Sequence, residues 1–227
     1  MMRLGTFPGM WMEDEAAAIR ELSSLTSGLL YRDILEFERL RRAPLIIRLL
    51  RALALQLGSE VSYQELASLL NVDIKTVERY IFLLEEAFVI FRMPSLKRNA
   101  RNEVSRLRKV YFYDLGVRNS LIQNYNLLEL RNDIGPLWEN FCIVERLKYN
   151  EYHGVFANYY FWRNYQGQEV DLIEERVGRL SAYEFKWSSR QKATALKVPT
   201  GFAAAYPEAS FQLIYHDNFE QLFTDET

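Results

Sequence analysis

The segment that most constrains the fold of this chain reads SYQELASLLNVDIKTVERYIFLLEEAFVI and begins at Ser62. Ser62 and Glu65 have the spacing of a capping box, which predicts that a helix begins here. Apolar residues recur at helical spacing on both sides of a short turn, where Asp73 is expected to cap a second helix. With the apolar helix that precedes them, two short helices joined by a tight turn predict a helix-turn-helix unit.

Two strand-like runs follow this unit, over residues 88–96 and 107–113. Three helices followed by a β-hairpin predict a winged helix. The loop of the hairpin is strongly basic, with six cations against the single acid Glu103: Lys97, Arg98, Arg101, Arg106, Arg108 and Lys109. Such a loop is suited to the phosphate backbone of a nucleic acid. Two alternatives are a solvated hairpin tip kept basic against edge pairing and a winged helix that packs on a neighbouring domain.

Composition and charge narrow the classes of function. The formal net charge is −2 over 227 residues, so nucleic-acid affinity must come from local patches. The second helix of the pair carries four acids and two cations between Asp73 and Glu86, which argues against base readout by this helix. A single cysteine, Cys142, excludes an internal disulfide and suits the cytoplasm. The most apolar stretch contains Arg48 and Arg51, which argues against a membrane span.

The second half of the chain has the pattern of an α/β layer. A polar stretch over residues 123–133 separates the halves, so we expect one domain over 1–133 and another over 134–227. A helix opens at Gly135-Pro136. Three strands, a helix and a last strand are then predicted over residues 159–163, 169–173, 180–187, 190–205 and 210–215. The predicted order is αβββαβ.

The third strand of this layer contains the run Glu184-Phe185-Lys186. Because side chains two residues apart share a face of a strand, Glu184 and Lys186 point one way and the alternating aromatic residues point toward a core. If the preceding strand pairs with this one as a hairpin, Asp171 comes close to Glu184. Two carboxylates at that range need a cation or a proton between them, and Mg²⁺ is bound by one or two carboxylates. The alternative is a set of surface ion pairs of small energy.

A third acid, Glu139, lies in the first turns of the helix that Pro136 opens. The helix dipole alone would favour a carboxylate at this position. Its neighbours three and four residues on are Cys142 and Ile143, so its helix face is not simply solvated. Glu139 is therefore a further candidate for the same site.

The ordered acids and lysine, on a helix, a strand and the next strand, resemble the PD-(D/E)XK nuclease-like fold. More specifically, the segments GPLWENF, YYFWRNYQGQEVDLI and YEFKWS are similar to domain of unknown function 4143, at the C-terminus of many prokaryotic AAA-type ATPases. The upstream segments GTFPGMW, YRDI and KVYFYDLGVRNSL, together with the helix-turn-helix unit, resemble the winged-helix part of the same proteins. The resemblance covers nearly the whole chain. It implies a helical winged-helix domain followed by a nuclease-like αβββαβ domain.

The resemblance also implies the roles of individual residues. A nuclease of this type would use four side chains as its catalytic set: Glu139, Asp171, Glu184 and Lys186. Asp171 and Glu184, with the carbonyl of Phe185, would ligate Mg²⁺. Lys186 would be the catalytic lysine, and Arg163 would lie nearby to contact nucleic acid.

The ATPases that carry this domain bind nucleotide with the loop G-x-x-x-x-G-K-[ST]. None of the ten glycines here is followed by lysine, so we expect no ATP site in this chain and an ATPase module as its partner. Because the resemblance begins at GTFPGMW, we interpret the chain as a C-terminal fragment, with a naturally truncated protein as the alternative. The expected function is nucleic-acid binding with Mg²⁺-dependent phosphodiesterase activity. The alternatives are a non-catalytic interaction module coupled to the ATPase and a winged-helix regulator with a dimerisation platform.

Overall fold

A computed structural model of the chain describes residues 1–10, 14–29, 43–96, 108–188 and 198–224. The chain divides into two compact units, one of Met1–Arg92 with Lys109–Asn132 and one of Met93–Arg108 with Asp133–Thr227. Helices dominate the first unit and a four-stranded mixed sheet forms the centre of the second. No helix in the described ranges is both long enough and apolar enough to cross a membrane.

The first unit contains the predicted pair of short helices. Its described helices are α1 (Glu15–Leu29), α2 (Ala43–Leu55), α3 (Tyr63–Leu70), α4 (Ile74–Glu86) and α5 (Leu115–Leu121). The predicted caps are confirmed, since the Ser62 hydroxyl accepts a hydrogen bond from the Glu65 amide at 3.3 Å and Asp73 Oδ1 accepts one from the Thr76 amide at 2.7 Å. Asn71 adopts a left-handed conformation (φ 55°) that ends α3 and makes the tight turn.

Strands β1 (Ile90–Pro94) and β2 (Arg108–Phe112) pair as a two-stranded sheet. Both strands are shorter than the strand-like runs predicted over residues 88–96 and 107–113. The early start predicted for β1 is wrong because Phe88 has a positive φ of 53° and its amide donates to the Glu85 carbonyl, which closes α4 instead of beginning a strand.

The second unit has the predicted αβββαβ order. Its elements are α6 (Ile134–Tyr152), β3 (Asn158–Arg163), β4 (Glu169–Arg176), β5 (Arg179–Lys186), α7 (Thr200–Ala205) and β6 (Ser210–Tyr215). The sheet order is β3-β4-β5-β6, with β3-β4 and β4-β5 antiparallel and β5-β6 parallel. β4 and β5 therefore pair as the hairpin on which the metal-site interpretation depended, and this pairing brings the start of β4 beside the end of β5.

The two faces of the sheet are covered by different helices. On one face, Ala182 belongs to an apolar cluster that includes Phe202 of α7. On the other face, the Arg146 guanidinium of α6 lies 5.7 Å from the centre of the Tyr183 ring, and Trp187 contacts Trp138 of α6. The alternate aromatic residues of β5 thus pack toward a core, as predicted.

Strand β4 carries one extra residue relative to β3. The register shifts between Tyr160 and Trp162, so Asp171 and Leu172 lie opposite the single residue Phe161. Such a bulge disturbs the alternation of side chains and is common next to active sites. Alternation along the strand therefore does not by itself set the direction of Asp171.

The turn between β4 and β5 is strained at Val177. Val177 and Gly178 have φ values of 49° and 78°, and the Val177 side chain is fully exposed. A left-handed conformation costs a β-branched residue roughly 1–2 kcal/mol, whereas Asn-Gly is the preferred pair in tight hairpin turns. We expect Val177→Asn to raise the free energy of unfolding by about 1 kcal/mol, as measured by urea unfolding. Gly178→Ala should lower it, and a Val177→Asn variant no more stable than the wild type would contradict the strain.

Candidate functional site

Glu184 and Lys186 stand at the end of β5 and form an ion pair. Lys186 Nζ donates to Glu184 Oε1 at 2.6 Å. The Glu184 side chain is 15% exposed and that of Lys186 is 39% exposed. The two side chains expected to share a face of the strand are in direct contact, with the carboxylate inside and the ammonium nearer to water.

The second carboxylate oxygen of Glu184 has an unusual environment. Oε2 is buried and has no hydrogen-bond partner among the groups the structure describes. Burial raises the pKa of Glu184, the hydrogen bond and charge of Lys186 oppose the rise, and the carboxylates of Glu139 and Glu169 add to it. An oxygen that is removed from water and surrounded by other acids is stabilised by a proton or a cation.

Asp171 lies buried in β4 and connects that strand to β5. Its Oδ2 accepts a hydrogen bond from the Phe185 amide at 2.8 Å. The backbone pairing of the two strands extends to Leu172 and Tyr183 in this direction. The Asp171 carboxylate thus links β4 to β5 beyond the last backbone pair of the two strands. It does so through the backbone of Phe185, the residue between Glu184 and Lys186.

Two further acids, Asp171 and Glu139, raise the pKa of Lys186. Burial acts to lower the pKa of Lys186, but the hydrogen bond and charge of Glu184, with the charges of Asp171 and Glu139, outweigh it and raise that pKa. Burial also raises the pKa of the Cys142 thiol, and Asp171 and Glu139 raise it further. The charges of Glu139 of α6 and Asp171 of β4 therefore act on the ion pair of β5, and Asp171 is also bonded to the Phe185 amide between its two members.

These residues form a sparse donor set for a metal ion. In the ranges that the structure covers, no three His, Cys, Asp or Glu side chains are grouped closely enough to hold an ion together. The set offers the buried Oε2 of Glu184 and a second carboxylate on the neighbouring strand, that of Asp171, whose Oδ2 already accepts from the Phe185 amide. Mg²⁺ usually keeps several waters and takes only one or two carboxylates from a protein. The residues present fit such a hydrated ion and do not form an all-protein cage.

Arg163 is the last residue of β3 and lies opposite Glu169 in the sheet. Its side chain is 46% exposed, and its Nε lies 3.9 Å from Glu169 Oε2. Glu169 is a neighbour of the candidate site that the sequence analysis did not assign. The available signal was its position two residues before Asp171, at the start of the same strand.

The basic hairpin loop is largely beyond the part of the chain that the structure describes. Lys97, Arg98, Arg101 and Arg106 lie outside the described ranges. Arg108 is the first residue of β2 and is half-buried. A nucleic-acid contact through this loop remains a prediction.

The turn before β4 is fastened to the beginning of α7, a link that the sequence did not indicate. Gln168 Nε2 donates to Thr200 Oγ1, and the Gly201 amide donates to Gln168 Oε1, both at 3.0 Å. A Cβ at position 201 would lie 2.6 Å from Gln168 Oε1, so a larger residue would displace this side chain and weaken the link. This link orders the chain directly before Glu169 and Asp171.

Comparisons with known proteins return uncharacterised families. Residues 1–128 match the family model of domain of unknown function DUF8612, and residues 134–227 match that of domain of unknown function DUF4143. The uncharacterized proteins Mb2031c of Mycobacterium bovis and Rv2008c of Mycobacterium tuberculosis are each 32% identical over 136 residues. This match covers 58% of the chain and 30% of each relative, so the chain spans less than a third of the length of these curated relatives. No solved structure matches the chain.

The DUF4143 match confirms the resemblance inferred from the motifs of the second half, and it begins at Ile134, the first residue of α6. The DUF8612 match covers more than half of the chain. This chain therefore belongs to the DUF8612 family and carries a DUF4143 region in its second unit.

Proposed function

We propose that the second unit is a Mg²⁺-dependent phosphodiesterase of the PD-(D/E)XK type that acts on nucleic acid, in the C-terminal region of an AAA-type ATPase. The observation that carries the proposal is the buried Oε2 of Glu184, which has no hydrogen-bond partner among the described residues and belongs to the carboxylate paired with Lys186. The αβββαβ order and the DUF4143 match add support.

Each residue has a proposed part in the reaction. Bound Mg²⁺ would supply Lewis-acid polarisation of the scissile phosphate and an activated water. Glu184 and Asp171 would hold the ion, and Glu139 would add negative charge beside it. The Lys186 ammonium has three N–H donors, so it can donate to a phosphate oxygen. Arg163 is exposed at the end of β3 and would contact a backbone phosphate.

Two observations support the proposed parent protein: the length of the relatives, and the fact that no glycine of this chain is followed by lysine. The mycobacterial relatives extend well beyond the matched segment, which leaves room for an ATPase module. No glycine of this chain is followed by lysine, so nucleotide would bind elsewhere in that parent. The first unit, with its capped helix pair and two-stranded sheet, would act as a winged helix that contacts nucleic acid or the ATPase module.

Cleavage of DNA and RNA in the presence of Mg²⁺ or Mn²⁺ tests the proposal. We expect the wild type to cleave and Lys186→Ala to lose roughly 100-fold or more of that activity, because an electrostatic contact to the reacting phosphate is removed. Lys148→Ala is the matched control. Lys148 also pairs with a glutamate, Glu145, but both residues of this pair lie on α6, C-terminal to Glu139. Circular dichroism checks that both variants fold. Full activity in a folded Lys186→Ala variant would remove Lys186 from the mechanism.

A non-catalytic interaction module coupled to the ATPase is the second candidate. Two contacts favour it, because Asp171 is engaged by the Phe185 amide and Glu184 is engaged by Lys186. Under this alternative the site is a structural polar cluster. It predicts that the folded wild type cleaves neither DNA nor RNA with either metal ion, and that the chain binds the ATPase module instead.

A further inference from the structure

We propose that Lys186 is a built-in counter-cation of Glu184 and competes with a divalent ion for the charge of this carboxylate. The inference rests on the metal site proposed above, but it concerns the competition of two cations for one carboxylate rather than cleavage.

The contact between the two residues has the form that such a competition requires. Lys186 Nζ lies 2.6 Å from Glu184 Oε1, so the ammonium occupies one oxygen of the carboxylate whose other oxygen would hold the ion. The carboxylate is mostly buried, whereas the lysine side chain is 39% exposed. A lysine is a strongly hydrated charge on a flexible four-carbon stem. Lys186 is therefore the partner that can move out to water.

The surrounding charges make this ammonium important to the metal-free protein. The carboxylates of Glu139 and Glu169 raise the pKa of Glu184, as does the burial of its side chain. Arg163, the cation at the end of β3, is paired with Glu169. Without the charge of Lys186, a carboxylate withdrawn from water would be left among other acids, which is an unfavourable state.

Two effects of opposite sign follow from removing this charge. The metal-free protein becomes less stable, because the Glu184 carboxylate loses its partner. The affinity for a divalent ion increases, because Oε1 is released and the ammonium no longer repels the ion. A lysine too far from Glu184 to screen its charge would leave the affinity for the ion nearly unchanged.

Calorimetric titration of the full chain with Mn²⁺ measures the competition directly. We expect Lys186→Met to bind Mn²⁺ roughly tenfold more tightly than the wild type, a difference of about 1.4 kcal/mol. Lys148→Met, which removes the lysine of the Lys148–Glu145 pair, should bind as the wild type does. Glu184→Gln should bind more weakly. Lys186→Gln, which keeps a polar group without the charge, should repeat the Lys186→Met result and serves as the second variant if Lys186→Met does not fold.

The outcomes separate this inference from the function on which it rests. Binding by the wild type that is lost in Glu184→Gln but unchanged or weaker in both Lys186 variants keeps the metal site and overturns the counter-cation. Tight binding by the Lys186 variants alone supports strong competition. A complete lack of Mn²⁺ binding by the wild type and both Lys186 variants overturns the metal site and this inference together. Thermal unfolding gives a second measurement, since Mn²⁺ should raise the Tm of Lys186→Met more than that of the wild type, and equal shifts would contradict the competition.

Discussion

Glu174→Ala is expected to lower the free energy of unfolding by about 3–5 kcal/mol, because it leaves a buried guanidinium without its partner. Glu174 is 1% exposed, and its carboxylate accepts hydrogen bonds from Arg146 Nε at 2.9 Å and Nη2 at 3.2 Å. Asn150 Nδ2 donates to the same carboxylate at 2.8 Å, and Arg176 forms a second ion pair with it. The substitution removes the common acceptor of all three side chains.

Urea unfolding followed by circular dichroism measures this loss. Glu175→Ala is the matched control, since the next residue of β4 is only half-buried and makes long hydrogen bonds of 3.4 Å to Asn158 and Tyr160. We expect this control to lose about 1 kcal/mol or less. The double variant Glu174→Met with Arg146→Met should recover part of the stability, because the buried Arg146 charge is removed and only Arg176, which is 27% exposed, loses its ion pair. Equal losses in Glu174→Ala and Glu175→Ala would show that the buried network contributes no special stability.

Gly116→Ala is expected to destabilise the first unit by roughly 1–3 kcal/mol through overpacking. A Cβ at position 116 would overlap the backbone carbonyl oxygen of Leu4 and lie 2.9 Å from Asp114 Oδ1. Backbone atoms cannot move aside as a flexible side chain can. The same Asp114 holds both partners together, since its Oδ2 accepts from the Thr6 amide at 2.7 Å and its Oδ1 from the Val117 amide at 2.9 Å. The substitution should therefore separate the N-terminal segment from α5.

Gly28→Ala is the control for this effect. Gly28 lies in α1, and a Cβ there would meet no atom within 4 Å. Alanine in an open helical position should be neutral or should stabilise by up to about 1 kcal/mol. Tryptic cleavage after Arg3 gives a local measurement, and it should be faster in Gly116→Ala than in Gly28→Ala. Equal stability and equal cleavage in the two variants would mean that the close approach of Leu4 is not needed.

Local patterns in the sequence predicted the elements that position the candidate site. Capping residues such as Ser62 and Asp73 act within a single turn of chain, so their effect can be read without knowing the fold. The two-residue period of a strand predicted that Glu184 and Lys186 share a face and that Tyr183 faces a core. The hairpin of β4 and β5 followed from two adjacent strand-like runs separated by a turn.

Contacts between distant segments were beyond this reasoning. The bulge at Asp171 depends on the register between β3 and β4, which neither strand specifies alone. The bond from Gln168 to Thr200 joins residues 32 positions apart, and Glu174 is bound by a guanidinium 28 positions away in α6. Such partners are chosen by packing, because a buried polar group must find whichever donor or acceptor the folded chain brings to it.

The sequence by itself determined the order of the elements, the alternation along β5 and the resemblance that selected Glu139, Asp171, Glu184 and Lys186, because helix and strand periods act between near neighbours. Only the tertiary structure decided how these charges are paired with one another. It engaged Asp171 with the Phe185 amide, paired Lys186 with one oxygen of Glu184 and left the other oxygen buried, with no hydrogen-bond partner in the part of the chain that the structure describes. That outcome depends on burial, which strengthens the interaction between charges and exists only after separate segments pack together.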